Sequence, residues 1–213
     1  MFSVLRLPGI RGPLLDLFLS QGWYRYGGAI FTTDHIETEG LSTPVIWIRY
    51  QVDQIILSKS SEGIIKKWNG FSVRVKPFQY NEELESLHQR YLASVKFEVA
   101  QSLPDLLEDL HGWIYETQMI EVRDQNKLIA VGIFDLGEQS IAGIKNFFCP
   151  DYRAYSPGKM LMLLKYHYCL ENKIPLYYPG YIAPGNPRFD YKLFLDKSAT
   201  EQFVFESTSW IPM

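Results

Sequence analysis

Three short stretches concentrate residue types that can do chemistry. The longest is Leu176-Tyr-Tyr-Pro-Gly-Tyr-Ile-Ala-Pro-Gly-Asn-Pro-Arg-Phe-Asp-Tyr-Lys192, which carries Tyr178, Gly180, Tyr181, Asn186, Arg188, Tyr191 and Lys192 in and just after an apolar run. Tyrosines offer flat faces for an unpaired base, and the two cations offer fixed charge for a phosphate or a carboxylate. A loop at the end of a strand is where such groups usually meet a ligand. The same composition also suits an aromatic packed turn with solvated charges. The second stretch, Pro150-Asp-Tyr-Arg-Ala-Tyr-Ser-Pro-Gly-Lys159, feeds a helix start. There Arg153, Ser156, Gly158 and Lys159 can present backbone N–H groups and positive charge to an anion. They also read as an ordinary helix entry, with Ser156 as cap and Pro157 in the first turn. The third stretch, Gly22-Trp-Tyr-Arg25, brings Trp23 and Arg25 close together.

Other chemistries find no support. No Ser–His–Asp or Cys–His arrangement is recognisable, which argues against a covalent acyl-enzyme. His35, His88, His111 and His167 are not paired with a second histidine or cysteine at i+3 or i+4, so each reads as structural or solvated. Cys149 and Cys169 are too few for a disulfide framework or a four-ligand zinc site and read as small core residues.

The chain of 213 residues is 46% hydrophobic and 21% charged, enough for a real core and far from a disordered composition. Its formal net charge of -3 predicts that any nucleic-acid contact is local. The local footprint is residues 49–76, where six bases (Arg49, Lys59, Lys66, Lys67, Arg74, Lys76) outnumber two acids (Asp53, Glu62). No apolar run reaches the roughly 18 residues of a membrane span, and the N-terminus lacks the features of a signal peptide. The expectation is a soluble cytoplasmic protein in a reducing compartment, with no membrane partner.

The elements that must position these residues follow from periodicity. Leu14–Leu19 predicts a short helix after Pro13, and Tyr24 and Tyr26 begin an extended segment. Strands are expected at Val45–Val52 and Phe71–Lys76, with a helix capped by Ser60 or Ser61 between them. Asn81 caps a helix to about Val95, and a second runs from about Pro104 to Trp113. Three strands follow, over Trp113–Arg123, Lys127–Leu136 and Ser140–Cys149. A helix over Gly158–Asn172 then leads to a strand at Leu176–Ile182, which Pro179 places at an edge or a bulge. The best seam is Pro77–Asn81.

This order, an antiparallel meander whose last strand passes through a helix to a parallel neighbour, resembles the GNAT acyltransferase fold. In that fold the two parallel strands splay and free backbone groups for an acyl donor. The predicted architecture is α+β, a GNAT-like unit over 79–213 with a small N-terminal α/β unit over 1–78 packed across its cleft. The motifs are similar to those of the aminoacyl-tRNA–protein transferases, the arginyl and leucyl transferases of the N-degron pathway. Tyr177 to Lys192 resembles their C-terminal signature, and Phe148 to Lys159 their Tyr-x-Pro-Asp and Ser-Leu-Gly. Gln21 to Gly27 resembles their Gly-Trp-Arg-Arg-Ser-Gly, and Leu57 to Asn69 their Ser-x-Ser-Gln-Arg-Arg segment. The matches keep their order along nearly the whole chain. The departures are definite too. No cysteine precedes Cys149, the signature's cysteine is Asn186, its Lys-Met pair is Arg188-Phe189, and its paired arginines are Glu62 and Gly63.

The resemblance implies transfer of arginine or leucine from aminoacyl-tRNA to the α-amine of a protein with an acidic N-terminus. Aminoacyl-tRNA would be a co-substrate, with no further cofactor and no metal. Its substrate-binding residues would be Trp23, Arg25, Arg153, Ser156, Gly158, Tyr178, Gly180, Tyr181, Asn186, Arg188, Tyr191 and Lys192. An α-amine has a pKa near 7.7–8.0, so the site needs positioning and an oxyanion donor more than a strong base. Backbone N–H groups over Ile144–Cys149 are candidate donors. The alternatives are an N-acyltransferase using acyl-CoA, and a binding module for an N-terminus or a tRNA end. Arg153-Ala-Tyr-Ser-Pro-Gly158 spaces its glycine differently from the loop of acyl-CoA users.

Overall fold

The structure is a computed structural model that describes residues 2–38, 40–95, 102–187 and 189–213. In chain order the elements are β1 (Phe2–Leu5), α1 (Pro13–Ser20), β2 (Tyr24–Tyr26), β3 (Ala29–Thr33), β4 (His35–Thr38), β5 (Leu41–Pro44), β6 (Ile46–Gln51), α2 (Lys59–Lys67) and β7 (Ser72–Pro77), followed by α3 (Glu82–Leu92) and α4 (Leu103–Leu107). The remainder is β8 (Thr117–Asp124), β9 (Lys127–Leu136), β10 (Ser140–Phe148), α5 (Pro157–Glu171), β11 (Leu176–Ile182), β12 (Thr200–Val204) and β13 (Ser209–Pro212). Local chemistry sets most helix starts. The side chains of Ser58, Asn81 and Ser102 accept from the backbone N–H groups of Ser61, Leu84 and Asp105. The α2 cap is thus Ser58, two residues before the expected position. The helix expected over 104–113 stops at Leu107 because Glu108 turns left-handed and Asp109 accepts from the N–H groups of Trp113, Ile114 and Tyr115. That carboxylate holds the loop and delays β8 to Thr117.

One eight-stranded sheet organises the molecule, in the order β13-β12-β6-β11-β10-β9-β8-β7. The meander β8-β9-β10 is antiparallel, and β10 and β11 are adjacent and parallel, as the order of elements predicts. Their pairing covers only Ser140, Ile141 and Ala142 against Leu176, Tyr177 and Tyr178; beyond that the strands part. β11 is an interior strand. Its Pro179 falls in a register break between Tyr177 and Gly180, the bulge alternative of the sequence reading. The strand on its other side is β6, from the first quarter of the chain. Residues 1–78 therefore supply β6 and β7 to the sheet that 79–213 otherwise builds, and they form a small separate sheet, β1-β3-β2.

Alternation along the strands sorts side chains into two faces. Ile120, Ile141 and Tyr177 pack against α2 and α5, while Met119, Ala142 and Tyr178 point the other way, where α3, α4, α1 and the small sheet lie. A bulge in β10 changes this phase. Register is lost between Gly143 and Lys145, so Ile144 is the extra residue. Lys145 consequently turns toward Tyr91 of α3, 5.8 Å from its ring, and Asn146 turns toward α5.

Two buried cations sit in this framework. Arg25 is 7% exposed and its Nη1 donates to Asp135, fully buried, at 2.9 Å and to Thr117 at 3.0 Å. Its Nη2 donates to the Leu107 carbonyl, its Nε to the Gly27 carbonyl, and the guanidinium lies 4.3 Å from the Tyr115 ring centre. Lys165 of α5 is 1% exposed and donates to Asn146 Oδ1 at 2.8 Å. Burial pushes its ammonium down to about 7, against the opposing pull of Asp135.

Arg25→Met leaves Asp135 buried without its counter-charge and is expected to cost about 3–5 kcal/mol of unfolding free energy. Adding Asp135→Asn recovers part of that loss in urea melts. Lys165 has a folded pKa below its unfolded one, so the unfolded state binds more protons between about pH 7 and 10.4. Its contribution to stability therefore rises with pH across that window and is least favourable below pH 7. Lys165→Met is expected to raise the melting temperature at pH 6.5 and to flatten the pH dependence; equal melting at every pH for both proteins would refute this.

Candidate active site

The carboxyl ends of β10 and β11, where the strands part, are the natural ligand position in an α/β sheet. Tyr24 of β2 reaches into the gap. Its hydroxyl lies 2.7 Å from the Gly143 carbonyl of β10 and 2.8 Å from the Tyr178 carbonyl of β11. One proton cannot serve both acceptors at once, so the hydroxyl bridges them in alternation. Burial, then Asp135 and Tyr191, push its pKa well above the ordinary value, which keeps it a donor. Burial, Tyr24 and Tyr191 do the same to Tyr177.

Beside the gap opens a cleft of about 240 Å³, lined by Phe148, Arg153, Ser156, Pro157, Gly158, Lys159 and Tyr191. Ser156 is left-handed, at φ 55°, and its side chain does not cap α5. The first-turn N–H groups of this 15-residue helix therefore lack a side-chain acceptor at the cleft. Arg153 is tethered through Nη2 to the Ser94 carbonyl at 2.7 Å, and Lys159 lies 4.7 Å from the Phe194 ring. The helix dipole, the Gly158 and Lys159 amides and two cations give this corner a positive character suited to an anion.

A second group gathers around Lys192. Its Nζ donates to the Tyr181 carbonyl at 2.7 Å and lies about 5 Å from the rings of Tyr181 and Phe189. Gly180, at φ 100°, allows this approach: a Cβ there would stand 3.3 Å from Nζ. Burial pushes the ammonium down to about 7. Across the gap, Lys145 is also depressed by burial. Among the described residues neither lysine has a carboxylate partner, and Lys145 has no hydrogen bond.

The residues expected from sequence thus divide by place. Arg153, Ser156, Gly158 and Tyr191 meet in the cleft, and Gly180, Tyr181 and Lys192 meet at the end of β11. Asn186 forms a turn, its N–H donating to the Ala183 carbonyl and its carbonyl accepting from Phe189. Tyr178 is buried, its hydroxyl accepting from Arg49 at 3.2 Å and its ring against Trp210. Trp23 packs on Phe18. Arg25, expected at the cleft, has its guanidinium turned into the framework, where protein acceptors use four of its five N–H groups. Arg188 lies outside the described residues. Sequence reasoning missed Tyr24, Lys145 and Lys165. Tyr24 sat inside a quoted motif, but nothing local marks which of two neighbouring aromatics turns inward. Lys145 is hidden by a bulge that alternation does not reveal.

Residues 76–200 match the family described as arginine-tRNA-protein transferase, C terminus. The chain belongs to that family, and its fold is GNAT-like. An aspartate/glutamate leucyltransferase of Leptospira interrogans is 23% identical over 204 residues, covering 93% of this chain and 78% of that protein. One from Hahella chejuensis is 26% identical over 151 residues, covering 69% and 64%. Among solved structures, the C-terminal domain of a protein described as a lysylphosphatidylglycerol synthetase, from Agrobacterium fabrum, superposes with a TM-score of 0.50 at 15% identity. That match covers 70% of this chain and 50% of the other. The enzyme class is therefore aminoacyl-tRNA–protein transferase.

Gly158 separates anion binding from helix stability. An acid in the first turn suits the helix dipole but repels an anion at the same amides. Gly158→Asp is expected to leave the melting temperature unchanged or raised, because a Cβ there meets only Phe148 at 3.8 Å. Transfer activity is expected to fall tenfold or more. A fall in melting temperature with unchanged activity would place the ligand elsewhere.

Proposed function

We propose that this chain moves an amino acid, leucine or arginine, from the 3′ ester of aminoacyl-tRNA to the α-amine of proteins whose N-terminal residue is aspartate or glutamate. The relatives named aspartate/glutamate leucyltransferase favour leucine and acidic acceptors. The carrying observation is the gap between β10 and β11, with an anion-suited cleft on one side and two carboxylate-free lysines beside it. In this reading the α5 amides, Arg153 and Lys159 hold phosphate near the tRNA end, and Tyr191 lies against the terminal base. Lys192 takes the acceptor's side-chain carboxylate. The backbone of β10 past Ala142, paired with β9 on one side but no longer with β11 on the other, supports the oxyanion. Trp23, Arg25 and Tyr178 act by positioning the strands and Tyr24. The ester is already activated, so the reading calls for no cofactor beyond the tRNA, and it places the protein in the cytoplasm. No helix among the described residues is long and apolar enough to cross a membrane.

Labelled leucyl-tRNA and arginyl-tRNA, offered with peptides beginning Asp, Glu, Lys or Ala, test this directly. Leucine on the acidic peptides is the expected product; stabilisation by acyl-CoA with no transfer from any tRNA would overturn the reading. The pH profile tests Lys192. Its charge is lost as pH rises through about 7, so KM for the Asp peptide is expected to rise from pH 6 to 8.5. kcat rises over the same range as the α-amine deprotonates. Lys192→Met is expected to flatten the KM profile and to lower kcat/KM tenfold or more, about 1.4 kcal/mol.

A further inference from the structure

Helix α2 docks on the loop that leads into α5. Trp68 Nε1, at the end of the helix, donates to the Tyr155 carbonyl at 2.7 Å, and Lys67 Nζ reaches the Ala154 carbonyl at 3.4 Å. These contacts bring the exposed Lys66 and Lys67 to the rim of the cleft that holds Arg153 and Lys159. Among the described residues none of these four cations forms an ion pair. Several cations elsewhere on this acidic chain are paired, among them Arg49 with Glu201, Lys76 with Glu121, Arg90 with Asp151 and Arg123 with Glu83.

Two further features lie on the same surface. Gly63 stands in the interior of α2, one turn from Lys59, Lys66 and Lys67, where a Cβ would meet nothing within 4 Å. A helix-interior glycine weakens the helix, and no packing contact here requires it. It leaves a stretch of bare backbone that another chain can approach closely. Tyr155, 37% exposed and held edge-on by Phe71, stands between the lysines and the cleft. Bases interleaved with an aromatic and a low ridge fit a phosphodiester backbone with an unpaired end. Glu62, in the first turn of α2, borders the patch.

We infer that the acceptor arm of an RNA docks along α2, its phosphates on Lys66 and Lys67 and its single-stranded 3′ end passing Tyr155 into the α5 cleft. The inference rests on the reading of the chain as an aminoacyl-tRNA user and names the surface that reading leaves open. An acidic protein surface is the competing occupant.

The test uses the whole chain and a fluorescent RNA minihelix ending in an unpaired ACCA, with tRNA transfer followed in parallel. Lys66→Gln/Lys67→Gln removes two exposed charges and keeps a donor near the Ala154 carbonyl, so melting falls only slightly. Minihelix affinity is expected to fall tenfold or more, and the slope of log K against log salt to shrink by roughly two, one for each lost phosphate contact. Gly63→Leu is expected to raise the melting temperature yet weaken the minihelix, a pairing that a purely structural glycine would not give. Lys173→Gln, a matched exposed change just past the far end of α5 from the cleft, leaves binding intact. Unchanged minihelix affinity in the double variant overturns the inference, and so does equal weakening by Lys173→Gln. A raised KM for acidic peptides alone also overturns it, because it assigns the patch to protein. If the wild-type chain binds the minihelix through these lysines but transfers nothing, the docking surface stands and the enzymatic reading fails. If it transfers and the variants bind normally, the reverse holds.

Discussion

Where two parallel strands separate, their facing carbonyls lose the ladder, and something else must satisfy them. Here that is a single hydroxyl. Tyr24 stands between the Gly143 and Tyr178 carbonyls, while the next residue, Arg25, is locked into Asp135 and Thr117 at the far side of the meander. Two consecutive residues of one three-residue strand thereby fix the N-terminal layer over the opening. The gap is held apart by a group that can satisfy only one acceptor at a time. At any moment one of the two facing carbonyls is without this donor, and a ligand's own donor can supply it.

Charge around the opening follows the same logic. Lys145 and Lys192 are both desolvated, and neither has an acid beside it among the described residues. A buried ammonium without a counter-ion is unfavourable to the fold, and one way to relieve it is partial neutralisation. An anionic ligand relieves it differently, by restoring the charge and pairing it. In the proposed function that ligand is a phosphate or a carboxylate of the substrates, and the lowered lysine pKa values mark the desolvation that it offsets. Lys165, below the sheet, shares the depression but is sealed against Asn146 and belongs to the framework.

Much of this was legible in the residues. The alternation of β8, β9 and β10, the long helix after Pro157 and the apolar run of β11 gave the parallel pair and hence the opening. Ser-Pro-Gly at the head of α5 allowed two readings, a helix capped by Ser156 or amides open to an anion, and the side chain of Ser156 does not cap the helix. What could not be read depended on long-range partners. An arginine beside an aromatic in a glycine-flanked motif looks the same whether it faces a ligand or, as Arg25 does, a buried aspartate 110 residues away. The phase of β10 turned on one extra residue, Ile144, and the six-residue strand β6 carried no sign of its neighbours.

The placement of β6 governs the order of assembly. It must slot between β11 and β12, whose paired residues leave the ribosome 125–154 positions later, so the first half of the chain holds a strand that stays unpaired through most of synthesis. Loop closure over such separations is slow, and an exposed strand edge invites wrong partners meanwhile. Until β12 arrives, β6, the strand that flanks β11 beside the site, has an open edge. The last strands to be made are those that close that edge, so a nascent or shortened chain would carry the residues of the cleft beside a strand held from one side only.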